Sequence, residues 1–168
     1  MRIEGHGITA QVPAGWEGAI RRRPASSGAT NGAAAAATVT GTPPTGEVTL
    51  PTAHLATVAL PADRGDFGSG AVELLGPSDA FVALLEYGPD CVGTPMFPVA
   101  GIPRSPDAGW FNRRALQRTI DGQTGFQRFF SHRGRAFCLY VVLGRDTSVD
   151  PVIARVRTAL KGISVAPR

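Results

Sequence analysis

The stretch "GFQRFFSHRGRAFCLYVVLG", residues 125–144, constrains this chain more than any other. Two strand-like runs flank "SHRGR". Aromatic and β-branched residues dominate them: Phe126, Phe129, Phe130, Phe137, Tyr140, Val141 and Val142. Side chains of this kind suit a pleated, half-buried surface, and the polar, glycine-containing centre suits a reversal. The expectation is a β-hairpin that needs a sheet and a core around it. A chain of 168 residues is long enough for one domain with one sizeable core.

The other elements follow by periodicity. Ile8, Ala10 and Val12 alternate with Thr9 and Gln11, as in a half-buried strand. Pro13 and Gly15 then turn the chain, and Trp16, Gly18 and Ile20 share one face of a second strand, giving a hairpin or a corner. Apolar runs at 53–60 and 81–87 read as strands, the second against some helix-forming composition. "GSGAVELLG", 68–76, reads as a short helix ended by Gly76. Near the C-terminus, Val152, Ile153, Val156 and Leu160 share a helical face, with Asp150 as N-cap, Pro151 in the first turn and Gly162 as terminator. "ISV" adds a short edge strand. The fold class expected is α+β: an antiparallel sheet flanked by helices, with an aromatic hairpin and a C-terminal helix.

Two stretches interrupt this pattern. Residues 24–51 are rich in Ala, Gly, Thr and Pro, hold no aromatic residue, and have only Val39, Val48 and Leu50 as large apolar side chains. Burial there cannot offset the entropy of ordering, so a mobile, low-complexity insertion within the single domain 1–168 is expected. Residues 88–111 contain five prolines and four glycines, yet also Met96, Phe97, Ile102, Trp110 and Phe111. Such a loop has reason to pack, and anchored loops often carry function.

Charge is unevenly spread. The chain has a net charge of +4, and Lys161 is its one lysine among sixteen arginines. Residues 113–145 carry seven arginines and one acid, Asp121; the remainder carries ten basic and twelve acidic residues. This asymmetry reads as a solvated hairpin face or as a surface for an acidic partner.

The order of elements, with the strand followed by Pro13, Gly15 and Trp16, resembles the PsbP/Mog-type α/β fold. Its bacterial members include small stand-alone proteins and LpqN-like lipoproteins. The resemblance covers most of the chain outside 24–51. It implies an antiparallel sheet flanked by helices in a family that includes binding and assembly proteins. The chain departs from the LpqN-like members in having no lipobox, and the resemblance carries no ligand site with it.

Catalytic motifs are scarce. "RGDFGSG", 64–70, lacks the companions of a kinase or Walker loop, and reads as a turn whose backbone donors could bind an anion. His6, His54 and His132 are not spaced as metal ligands; His54 reads as a hydrogen-bonded core residue and His132 as a solvated hairpin tip. Cys138 reads as buried, and Cys91 as a loop thiol with no activating neighbour in sequence. No nucleophile elbow or cysteine-protease signature is present, and no carboxylate pair has a context that would split its pKa values. No catalytic residue, metal or cofactor is therefore assigned.

With no apolar run long enough to span a membrane and no signal-peptide pattern, a cytoplasmic protein without membrane partners is expected. The function expected is binding, to another protein, through Phe97, Trp110, Phe111, Arg113, Arg114 and Arg118. One alternative is a small-ligand protein or enzyme with a pocket between the sheet and the 88–111 loop. Another is a binder of nucleic acid or a different acidic polymer, using arginines interleaved with aromatic residues.

Overall fold

The computed structural model describes residues 1–22, 49–145 and 149–168. Most of the expected insertion at 24–51 lies outside them. The described elements are β1 (Arg2–Gly5), β2 (Ile8–Gln11), β3 (Glu17–Arg22), β4 (Pro51–Ala56), β5 (Ala80–Tyr87), β6 (Thr124–His132), β7 (Arg135–Leu143), α1 (Val149–Lys161) and β8 (Ile163–Val165). Single 3-10 turns occur at Val72–Leu74, Pro89–Cys91, Ala108–Trp110 and Arg113–Ala115.

The strands form two antiparallel sheets. One has the order β1-β2-β8, the other β3-β4-β5-β7-β6. The aromatic stretch is the hairpin β6–β7, in register from Thr124↔Leu143 to His132↔Arg135. Arg133 and Gly134 both have positive φ, 52° and 73°, the geometry that two-residue hairpin turns favour. His6 and Gly7, at 53° and 73°, make the same turn between β1 and β2. Strand β1 had no sequence counterpart because its alternation is short and polar, with Arg2 and Glu4 exposed.

"PAGW" is a corner between sheets. The Trp16 amide donates to the Pro13 carbonyl, β2 pairs with β1 and β8, and β3 pairs with β4 in the other sheet. Trp16 is buried in the core between the layers, with Ile8, Ala10 and Val12. That core lies between one face of the five-stranded sheet and a layer made of the small sheet and α1. Val152, Ile153, Val156 and Leu160 of α1 are all buried in it, as their spacing predicts. The helix begins at Val149, so Asp150 sits in the first turn, where its charge suits the helix dipole, rather than capping it.

The opposite face of the large sheet presents Phe81, Ala83, Leu85, Cys138, Tyr140 and Val142. No second α-helix covers it among the described residues, so the expected arrangement of flanking helices is corrected to one helix on one side. Loops cover this face instead, and 68–76 shows why. Gly68 and Gly70 hold φ values of 83° and 92°, outside right-handed helix, so only the turn Val72–Leu74 forms. A Cβ on Gly68 would stand 2.4 Å from the Phe81 ring, so the loop lies directly on the sheet. Strand β4 ends at Ala56, short of the expected residue 60, where the Thr57 amide and hydroxyl bond the start of β5. No helix among the described residues is long and apolar enough to cross a membrane.

Candidate functional site

Strand β6 is an edge of the large sheet, and an unprotected edge invites pairing with other chains. Residues 88–118 strap it. Their prolines forbid a continuous strand, so the segment touches the edge at two bridges, Val99↔Ser131 and Asn112↔Gly125. Between them it crosses from one face of the sheet to the other. On the loop-covered face, the Phe97 ring packs against Tyr87 and Phe129 at 5.1 and 5.3 Å. The Ser131 hydroxyl donates to the Phe97 carbonyl at 2.7 Å and accepts the Gly93 amide at 2.9 Å. On the helix-covered face, Arg104 donates to the Ile163 carbonyl and Arg157 to that of Pro106. Trp110 and Phe111 then meet Phe126 edge-on, with centroids at 5.3 and 5.0 Å. Beyond the second bridge, the Gln117 amide donates to the Tyr140 hydroxyl, returning the strap to the first face.

This path separates the six residues expected to bind a partner. Phe97 is 4 % exposed and belongs to the interior. Trp110 and Phe111 are half-buried on the opposite face. Arg113, Arg114 and Arg118 are exposed. Arg113 pairs with Asp121 at 2.7 Å and Arg118 with Glu73 at 2.8 Å, whereas Arg114 makes no hydrogen bond or ion pair among the described residues. The structure adds Arg128, whose guanidinium lies 4.4 Å over the Trp110 ring. Its signal was strand alternation: two residues from Phe126, it must share that residue's face.

The arginine-rich segment does not converge on one patch. Arg135 is buried, Arg133 sits at the hairpin turn and donates to the Val165 carbonyl, and Arg145 follows the far end of β7.

The polar groups inside the fold are arranged for support. His54 is fully buried on β4. Its Nδ1 accepts from Arg64 Nε at 2.7 Å, so its proton rests on Nε2, which donates to the Asp66 carbonyl at 2.7 Å. Burial lowers its pKa to about 3, which the Asp66 bond opposes and Arg64 and Arg21 reinforce. The expected core histidine is therefore neutral and occupied at both nitrogens. Four backbone donors of "RGDFGSG" are also engaged: the Arg64 amide bonds the Pro61 carbonyl, the Gly65 and Gly68 amides bond carbonyls within the loop, and the Gly70 amide bonds the Glu73 carboxylate. Burial pushes the Cys138 thiol up to about 12, and burial with neighbouring Asp90 raises that of Cys91. No three His, Cys, Asp or Glu side chains among the described residues gather as metal ligands.

A cleft of about 290 Å³ opens where the β1–β2 turn, the end of β3 and the last residues meet. Arg22, Glu86, Arg135, Arg168 and His6 line it. It shares no residue with the 88–111 loop, where the alternative reading of the sequence puts a pocket. Arg135 and Glu86 are 5 % and 1 % exposed and form a two-pronged ion pair, at 3.0 and 2.5 Å. Arg135 also donates to the carbonyls of His6, Gly7 and Ala166.

No model of a known family, no curated protein and no solved structure matches this chain.

Proposed function

We propose that this chain is a non-catalytic binding protein that engages another protein through the exposed surface of the strap, with Trp110, Phe111 and Arg128 on the helix-covered side and Arg113, Arg114 and Arg118 beyond the second bridge. The observation that carries this reading is the Trp110 ring: half-exposed, held at a 90° interplanar angle on Phe126, and covered by the Arg128 guanidinium. A tryptophan fixed before binding loses little entropy on association, and aromatic and arginine side chains dominate binding energy at interfaces. The exposed Arg114 adds uncommitted donors to the same strap. The resemblance to the PsbP/Mog-type fold, with its binding and assembly proteins, points the same way. Phe97 now has the role of anchoring the strap from inside.

The described histidine and cysteine chemistry favours binding over catalysis. His54 is held neutral with both nitrogens bonded, and both thiols are shifted away from thiolate. Free Cys91 and Cys138 suit a reducing compartment, in line with a cytoplasmic protein. The test is affinity capture from the native host. A protein retained by the wild type and by Arg155→Glu, but lost with Trp110→Ala and Arg114→Glu, supports the reading. Equal retention by all four refutes it.

A further inference from the structure

The cleft beside Glu86 is independent of the strap, and its chemistry is that of an anion site. We infer that it binds a small, doubly charged oxyanion, a phosphate or a paired carboxylate, held between Arg22 and Arg168. The floor is closed: Arg135 gives Nε and one terminal nitrogen to Glu86 and spends its remaining contacts on the carbonyls of His6, Gly7 and Ala166. It neutralises Glu86 without presenting donors of its own. The walls are open. Arg22 commits only Nε, to His6 Nδ1 at 3.2 Å, and its terminal nitrogens make no hydrogen bond among the described residues. Arg168 stands 3.6 Å from Glu86 Oε1, with its side chain 45 % exposed.

Among the described residues, three guanidiniums thus face one carboxylate across the cleft, an excess of two positive side-chain charges; the terminal nitrogens of Arg22 make no hydrogen bond, and Arg168 meets Glu86 only at ion-pair distance. A concave wall concentrates that potential, and guanidinium donors match the spacing of phosphate and carboxylate oxygens. His6 accepts from Arg22 through Nδ1 and lines the cleft beside it. The volume, about 290 Å³, is that of a small-molecule site rather than of a macromolecular surface. The two arginines come from distant parts of the chain, one ending β3 and one following β8, so only the folded protein presents them together.

The experiment is an amide NMR titration of the full chain with inorganic phosphate, and separately with malonate, against chloride at equal ionic strength. Saturable shifts centred on His6, Gly7, Arg22 and Arg168 are expected with either dianion and not with chloride. The tighter of the two identifies the ligand as a phosphate or as a dicarboxylate. Arg22→Gln and Arg168→Gln should each weaken binding about tenfold, the loss of one charge-assisted pair, while Lys161→Gln should leave it unchanged. Non-saturating shifts, shifts mapping elsewhere, or unaltered affinity in both arginine variants would overturn the assignment. Should either variant fail to fold, the location of the wild-type shifts decides.

Discussion

The Arg135 guanidinium closes on the Glu86 carboxylate and, with its remaining donors, ties the two sheets together. Glu86 stands on β5 and Arg135 opens β7, paired strands of the large sheet, while the same guanidinium holds the β1–β2 turn and Ala166 beyond β8. Taking two charges out of water is expensive, and here the cost is offset by two-pronged geometry and by carbonyls that occupy the remaining donors.

Removing Glu86 leaves a buried guanidinium without its carboxylate, and removing Arg135 takes from the buried Glu86 its two-pronged partner, leaving the 3.6 Å ion pair with Arg168. Glu86→Ala and Arg135→Ala should each lower stability by about 3–5 kcal/mol. The double variant Glu86→Ala/Arg135→Ala should lose less than the sum of the two single losses, but does not regain the carbonyl contacts to His6, Gly7 and Ala166. Urea denaturation of the four proteins checks this; strictly additive losses would contradict the coupling.

His54 makes stability depend on pH. Its folded pKa, about 3, lies below the unfolded value of 6.5. Between those values the unfolded chain binds the proton and the folded one does not. The contribution is therefore fully present above pH 6.5 and is lost as pH falls toward 3. Thermal melts should fall across this window, and less steeply in a folded His54→Gln variant. Nitrogen-detected NMR at pH 5 should still show the neutral ring protonated on Nε2.

Ser131 fastens the strap to β6. Ser131→Ala strands the Phe97 carbonyl and the Gly93 amide together, at about 1–3 kcal/mol. Hydrogen exchange should accelerate across residues 93–101 and leave the β5–β7 ladder protected. A uniform acceleration would mean that the strap does not open as a unit.

Gly125 lets the strap and hairpin approach each other. A Cβ there would stand 2.3 Å from the Val141 carbonyl oxygen and 2.8 Å from Leu116 Cδ2. Gly125→Ala should cost about 1–3 kcal/mol through strain and displacement. Denaturation should show this together with loss of the Phe111–Phe126 contact in NMR.

The two thiols should separate by reactivity. Cys138 is fully buried, with its pKa pushed up to about 12, whereas Cys91 is half-buried. A thiol reagent at pH 8 should modify Cys91 slowly and leave Cys138 intact until global unfolding.

Local pattern was enough for the hairpin 125–144, the buried face of α1, the strand at 81–87 and the β8 run, because each bears its signal within a few residues. The corner at Pro13–Trp16 was legible for the same reason. The sequence also singled out Trp110, but it could not place Phe97 on the opposite side of β6. That depends on a proline-rich segment crossing an edge strand at Val99 and again at Asn112. The helix expected at 68–76 failed because contact with Phe81 outweighs weak helical propensity in a glycine-rich segment.

By itself, then, the sequence determined which short runs become strand or helix and which side of each is apolar, since backbone sterics and side-chain period act between near neighbours. The tertiary structure alone decided that β2 meets β8 from the far end of the chain, that Arg135 is a buried strut rather than part of a basic surface, and that Arg22 and Arg168 share a cleft. Those outcomes rest on contacts between residues distant in sequence, where burial and charge pairing are settled by the packing of whole layers.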